Sequence, residues 1–452
     1  MKNRYLDQDF KPIILELREF EEKVKDSDHQ NLLSIILIKD NFVCRKDLYV
    51  FDDSIDDEYN IKIAERYIKS MLYIYGGYKL LISGSKYIYM KIKEYYSIGG
   101  KNEFDMVFMS KIYNHAFEVL KIERNDILNE TEEVNIVKED FYGRRIGLDV
   151  GGSDIKVSIL RNGEVISSKE INWNPKEEKN PSYHLSYIYN ILKDACLELC
   201  GCDFIGISTA GVVVENKLMI SSIFRNVDEI YLEKASNLYI DAVKMLEEYL
   251  NKSIPFKIIN DGDASALGGV FQMDLSSCLG IAMGTSEAGG YVDNDRCLHN
   301  YLSELSLVPI DMSMNAPVDE WTKDKGTGSL YFSQEAVIRL SEKLGVKYNK
   351  SDSKREKLKV FQELFNNDKD KYRIVYETIG EYLAYSLAYY FEFYNVKNVF
   401  LFGRVLSFGG DIIVDSANKI LKEEFSEYSD INIILPSESE RRVGQSLAVA
   451  II

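Results

Sequence analysis

RRIGLDVGGSDIKVSIL (Arg144–Leu160) reads as two buried strands folded back on a tight GGSD turn. The next segment, RNGE, holds Asn162-Gly163, a strong short hairpin signal, and leads into a third strand at Val165–Trp173. Helical periodicity follows at Ser182–Cys200, a strand at Asp203–Val214, a helix at Ala235–Leu250 and a strand at Phe256–Asp261. A helix then follows at Asp263–Gln272. The order is three meandering strands, then helix, strand, helix, strand, helix.

The same order recurs downstream. SCLGIAMGT (Ser277–Thr285), EAGGYVDN and RCL form a second meander, and a mostly helical stretch runs from about Ser333 to Asn395. A strand at Val396–Gly403, a helix from Asp411, a strand at INIILP and a closing helix at VGQSLAVAII complete it. Two copies of one βββαβαβα plan imply a duplicated α/β domain whose hairpins face each other across a cleft. The domains expected are 1–140, an N-terminal α/β extension of unknown role; 141–265, a first lobe; and 266–452, a second lobe. The polar, acidic stretch Asn129–Gly143 reads as a linker. Within the extension, Lys62–Gly77 reads as an amphipathic helix with a glycine stop, Tyr78–Ser85 as a strand and Lys86–Ser97 as a helix.

Bulk properties narrow the function. The chain has 452 residues and a formal net charge of −17. An acidic surface repels nucleic-acid phosphates and anionic lipid, so neither a nucleic acid nor a membrane is expected as a partner. The six cysteines lack the density and spacing of a disulfide scaffold. No apolar leader or spanning segment is visible, and a cytoplasmic location is expected.

Three segments carry chemistry. In Asp149-Val-Gly-Gly-Ser-Asp-Ile-Lys156 the glycines of a tight hairpin let backbone N–H groups approach phosphate oxygens. Asp149, at a strand end, can hold Mg²⁺ directly or through water. Taken alone, the segment also reads as an ordinary hairpin with two convenient glycines. Gly284-Thr285-Ser286-Glu287-Ala288-Gly289-Gly290 repeats the feature at the equivalent place in the second copy, and a clamp on a phosphate pair needs two such loops. The third segment is Asn260-Asp261-Gly262-Asp263, at a strand end that opens a helix. A carboxylate there sits where open α/β sheets bind ligands. Asp261 is a candidate general base for an attacking hydroxyl. The plainer alternative is that Asp261 or Asp263 caps the helix.

Together these segments resemble the superfamily of acetate and sugar kinases, Hsp70 and actin, with its duplicated ribonuclease H-like (actin-like ATPase) domains. Within it they look most like the ROK family of sugar kinases and related repressors. The family's DxGGTxxK loop is matched by Asp149–Lys156, and its IGIGxPGxV strand by Ile205–Val212. Its NDANAAALGE segment is matched by Asn260–Gly269. GxxAGEIGH is matched only partly, by Asn300–Leu307, and the last nucleotide segment loosely, by Phe400–Gly410. The likeness covers Arg144 to Ile452.

The resemblance implies an ATP- and Mg²⁺-dependent kinase acting on a hexose or amino sugar, with Asp261 as base. It implies sugar contacts from Asn260, Glu304, Asn226 and the Gly211 backbone. It places ATP phosphates against Gly151, Gly152, Ser153, Lys156, Gly284, Thr285 and Ser286, and adenosine near Gly403, Gly409 and Gly410. The expected partners are a small sugar and ATP, and a homodimer is compatible with them. The chain also departs from the family. Ser286 and Glu287 replace a glycine and an apolar residue, and a carboxylate there repels a γ-phosphate unless it points away or faces Mg²⁺. Leu307 stands where the family has a histidine, and its zinc cluster has no counterpart, so no structural zinc is expected. These departures leave open a non-catalytic sensor of the ROK type and a phosphotransferase with a non-sugar acceptor.

Other features carry less. Cys196, Cys200 and Cys202 straddle a helix end and read as core cysteines rather than ligands. The loop from Asn315 to Gly328, with Asp319, Glu320 and Trp321, reads equally as a sugar-lining loop or a polar connection. The tyrosine-rich segment Gly380–Tyr394 reads as core.

Overall fold

The computed structural model describes residues 5–131, 134–136, 140–436 and 438–452. The extension consists of α1 (Ile13–Lys25), β1 (Gln30–Lys39), β2 (Phe42–Phe51), α2 (Asp57–Tyr75), β3 (Lys79–Ser83), α3 (Lys86–Tyr95), α4 (Glu103–Tyr113) and β4 (Glu118–Lys121), with the short strand β5 (Val134–Ile136) after it. The first copy of the repeated plan runs β6 (Arg144–Val150), β7 (Asp154–Arg161), β8 (Glu164–Asn172), α5 (Ser182–Glu198), β9 (Phe204–Thr209), β10 (Val212–Val214), β11 (Lys217–Ile220), α6 (Leu232–Ser236), α7 (Leu238–Leu250), β12 (Phe256–Asn260) and α8 (Asp261–Met273). The second runs β13 (Cys278–Met283), β14 (Glu287–Val292), β15 (Cys297–His299), α9 (Gln334–Lys343), α10 (Lys354–Asn367), α11 (Lys369–Tyr390), β16 (Asn398–Phe402), α12 (Leu406–Glu424), β17 (Asn432–Ile434) and α13 (Glu438–Ala450).

The duplication is visible in the sheet orders. The first copy gives β12-β9-β6-β7-β8, and the second gives β17-β16-β13-β14-β15 with β5 added at the edge. In both, the fifth and fourth strands of the plan lie beside the first, which leads into the meander. Asn162 and Gly163 both have positive φ, +50° and +81°, which is the turn that the Asn-Gly pair favours.

The chain divides into two compact units. One comprises residues 1–134, 281–288 and 299–435; the other comprises 135–280, 289–298 and 436–452. The extension therefore folds with most of the second copy. It contributes a four-stranded sheet of order β2-β1-β3-β4. In the same unit Tyr376, Tyr382, Tyr389 and Tyr390 of α11 are fully buried, as expected for a core helix.

In the other unit, α13 lies on β6 and β9. A Cβ at Gly147 would come within 1.8 Å of the Ser446 carbonyl oxygen, and one at Gly206 within 1.6 Å of that of Val449. Glycine in these two strands is what permits the helix to approach. The core beneath the sheet gathers Ile146, Leu148, Ile205, Ile207, Leu192 and Leu246, all without exposure.

Three local expectations are corrected. Asp203–Val214 is not one strand: Gly211, at φ +123°, turns the chain between β9 and β10. The helix expected at Ala235–Leu250 is broken at Asn237 into α6 and α7. The segment read as a linker contains β5, and its residues 132–133 and 137–139 lie outside the described residues.

Candidate functional site

In the unit built from the first copy, three parallel strands end together. Asn260 of β12 is in register with Thr209 of β9, and Thr209 with Val150 of β6. One step back, Asp149 pairs with Ser208. The register thus gathers Asp149, Ser208 and Asn260, with Asp261 next in the chain, at the carboxyl ends of the strands. Open α/β sheets bind their ligands at that edge.

Asp149 is 6% exposed and both its oxygens are engaged. The Ser208 hydroxyl donates to Oδ1 at 3.2 Å, and the Lys156 ammonium to Oδ2 at 3.1 Å. Lys156 occupies the paired position on β7. Burial works against its charge, but the Asp149 carboxylate overcomes this and holds the ammonium above its ordinary pKa. The turn is fixed from behind by Trp173, whose indole N–H donates to the Gly151 carbonyl at 2.8 Å. Within it, Gly151 N–H donates to Asp154 O at 2.9 Å and the Ser153 hydroxyl to Asp154 Oδ2 at 2.7 Å.

The helix cap is Asn260, not Asp261 or Asp263. Its Oδ1 accepts from Gly262 N–H at 2.6 Å, and its Nδ2 donates to the Gly211 carbonyl at 2.7 Å. Both ends of this amide are therefore used to join α8 to the Gly211 turn. Asp261 is the first helical residue, half-buried, where the helix dipole favours a carboxylate. Its carbonyl accepts from the Gln445 side chain of α13 at 2.9 Å. Gly262 and Gly290 lock this end of α8 to β14: a Cβ on Gly290 would lie 2.2 Å from Gly262 backbone atoms. Asn226 is exposed in the loop before α6.

The other unit holds the second loop and Glu304. At Gly284 a Cβ would meet nothing nearer than 3.8 Å, so packing does not require a glycine there. Gly284 N–H donates to Ser286 O at 3.1 Å, and Thr285 and Ser286 are exposed. Gly403 turns the chain after β16 at φ +107°, tight against Met283 backbone atoms. Gly409 and Gly410 lie inside α12. The Tyr376 ring and Leu435 fill the space their side chains would take, so both have a packing role.

Glu287 does not extend from its loop. It begins β14, is 4% exposed, and places Oε1 3.4 Å from the Tyr390 hydroxyl. Its Oε2 has no hydrogen-bond partner among the described residues and packs against Gly328, where a Cβ would lie 2.2 Å away. Burial, reinforced by Glu304 and opposed by Tyr390, pushes its carboxyl up to about 8. Glu304 is half-buried and accepts from the Ser306 hydroxyl at 3.2 Å; burial raises its carboxyl to about 7.

A Mg²⁺ ion carried by a nucleotide usually takes one or two protein carboxylates and keeps water and phosphate ligands. Asp149 is a carboxylate of the kind such an ion takes, and its oxygens are here bonded to Ser208 and Lys156. No cluster of three or more His, Cys, Asp or Glu ligands occurs among the described residues. No helix among the described residues is long and apolar enough to cross a membrane.

Ser208, Trp173 and Gln445 were not singled out from sequence. Ser208 lies inside the Ile205–Val212 segment and could have been found by aligning the ends of the two strands. Gln445 is 184 positions from Asp261, and no local pattern connects them.

The repeated sheet order is that of a duplicated ribonuclease H-like fold. The fold is the one found in ROK proteins. A ROK family transcriptional regulator, a homologue of the Escherichia coli MLC protein, superposes with a TM-score of 0.52 at 15% identity, over 68% of this chain and 77% of its own. A ROK family glucokinase from Streptomyces griseus, solved with glucose and AMPPNP, gives 0.51 at 15% identity, over 68% of this chain and 98% of its own. No protein-family model and no curated protein matches the sequence.

Proposed function

We propose that the chain is an ATP- and Mg²⁺-dependent kinase that phosphorylates a hydroxyl of a hexose or amino sugar. The observation supporting this reading is the register that gathers Asp149, Ser208, Asn260 and Asp261 at one sheet edge. Asp261 is the base that takes the hydroxyl proton. It stands in the first turn of α8, where the helix dipole favours a carboxylate. Asn260 holds the Gly211 turn against α8, so that the Gly211 backbone and Asn226 face the acceptor with Asp261. Glu304 accepts hydrogen bonds from acceptor hydroxyls.

In one unit the backbone of Gly151, Gly152 and Ser153 binds phosphate oxygens, and the Lys156 ammonium adds positive charge beside them; in the other unit Gly284, Thr285 and Ser286 form a phosphate loop of their own. Gly403 lies near adenosine, and the packing glycines Gly409 and Gly410 shape the helix behind it. Asp149 is the carboxylate that would hold Mg²⁺, which when bound neutralises the charge of the phosphates. With Glu287 buried and protonated at neutral pH, the second loop carries no net negative charge toward a phosphate.

The glucokinase bound to glucose and AMPPNP supports this reading, and the regulator supports a second one, a non-catalytic sensor of sugar and nucleotide. Coupled ADP release with ATP, Mg²⁺ and a panel of hexoses and amino sugars separates them. A sugar-stimulated rate supports the kinase. Nucleotide binding without turnover across the panel supports the sensor or a non-sugar acceptor.

A further inference from the structure

An α-helix leaves its last four carbonyls without partners in the helix. In α2 those four carbonyls are all bonded, one by the C-cap residue Gly76 and three by distant segments. Leu72 O accepts from Gly76 N–H, Ile74 O from Ser303 N–H and Tyr73 O from Glu304 N–H, each at 2.9 Å. Tyr75 O accepts from the Lys39 ammonium at 2.5 Å. Two of the four caps are thus the backbone of Glu304 and the residue before it, some 230 positions away in sequence but in the same compact unit.

Lys39 adds a second tie. It ends β1, is 2% exposed, and also donates to the Asn300 carbonyl. Its ammonium lies 5.0 Å from the centroid of Phe42 and 5.8 Å from that of Tyr113. A buried ammonium is costly unless it is well bonded. Here it joins the end of α2 to the start of the 300–307 loop. The last turn of α2 has no basic residue of its own, so Lys39 also supplies the cation that a helix C-terminus favours. Ser303 takes φ +50°, a region that non-glycine residues rarely occupy, and its hydroxyl lies 3.3 Å from the Tyr394 hydroxyl. A conformation of that kind persists only where its surroundings over-determine it.

We propose that the extension is the device that positions Glu304 for the acceptor, with α2 as the anvil and Lys39 as the positioning residue. The proposal rests on the assignment of Glu304 to acceptor binding made above. It gives residues 5–131 a role inside the acceptor site rather than that of a separate appended module. A hydrogen-bonding carboxylate displaced by a fraction of an ångström binds hydroxyls poorly, while a nucleotide site elsewhere is unaffected.

The test has two arms on the full chain. In the first, hydrogen exchange of the wild-type protein follows the amides of Ser303 and Glu304 beside that of Gly76. Protection of all three as one unit is expected. Free exchange of 303 and 304 while Gly76 stays protected overturns the proposal. In the second, Lys39→Met is compared with wild type in ADP release. The acceptor KM is expected to rise about tenfold with the ATP KM unchanged, together with faster exchange at 303–304. A folded variant with both KM values and the exchange unchanged overturns the proposal. If Lys39→Met does not fold, the wild-type exchange decides. If wild type turns over no acceptor, the kinase reading fails by itself, and exchange in wild type and variant still decides whether the extension fixes the loop.

Discussion

Asn260 joins two elements with one amide: its Nδ2 donates to Gly211 O at 2.7 Å while its Oδ1 caps α8 through Gly262 N–H at 2.6 Å. Asn260→Ala removes both bonds and is expected to cost about 2 kcal/mol, one for the cap and one for the half-buried Gly211 carbonyl left without this donor. Asn260→Asp keeps the cap but sets a carboxylate against the Gly211 carbonyl. Urea denaturation should therefore rank wild type first, with both variants below it. Equal stability of Asn260→Ala and wild type would refute the bridging role.

Gly290 and Gly284 differ in what an added methyl would meet. At Gly290 a Cβ would lie 2.2 Å from Gly262 backbone atoms, and neither side can give way. Gly290→Ala is expected to destabilise by about 3 kcal/mol or more. At Gly284 the added methyl meets nothing closer than 3.8 Å, so Gly284→Ala should cost less than about 1 kcal/mol. It should instead weaken nucleotide binding, about tenfold in ATP KM. Thermal melts and ATP titrations of the two variants check both statements.

The placement of the first hairpin, of Asp149 and of Asp261 was legible in the sequence. Alternating apolar residues and an Asn-Gly turn fix the strands, and strand ends fix what stands at the sheet edge. Glu287 was legible only as a residue next to a phosphate loop. Its burial follows from β14 starting at that residue, which turns the side chain inward beside Tyr390 and Gly328. The break at Gly211 was hidden by the apolar run on either side of it. The docking of α2 on the 300–307 loop could not be read at all. It depends on backbone carbonyls, which carry no side-chain pattern, and on a pairing between distant segments.

Lys156 and Asp149 stabilise each other at 3.1 Å. Lys156→Met leaves a nearly buried carboxylate without its cation and is expected to destabilise by about 3 kcal/mol. Chemical denaturation of this variant and of Lys156→Arg checks it, since the arginine retains the charge and should recover part of the loss.

Burial raises the carboxyl of Glu287 from about 4.5 to about 8. Between those values the folded chain keeps a proton that the unfolded chain has released. Stability contributed at this site therefore falls as pH rises from about 4.5 to about 8, and is level above that. Glu287→Gln removes the titration. The variant should gain on wild type steadily between pH 5 and pH 8, on the order of a few kcal/mol. Thermal melts across that range, in parallel for the two proteins, give the answer; parallel curves would show that Glu287 ionises freely.

Asp261 is the proposed base, and its removal is the most direct test of a kinase. ADP release is measured with ATP, Mg²⁺ and each sugar of a hexose and amino-sugar panel, in wild type and in Asp261→Asn. A sugar-dependent rate is expected in wild type, falling about a thousandfold in Asp261→Asn with ATP binding retained. A sugar-dependent rate that survives the substitution within a few-fold would contradict it, as would folded, ATP-binding wild-type protein that no sugar stimulates.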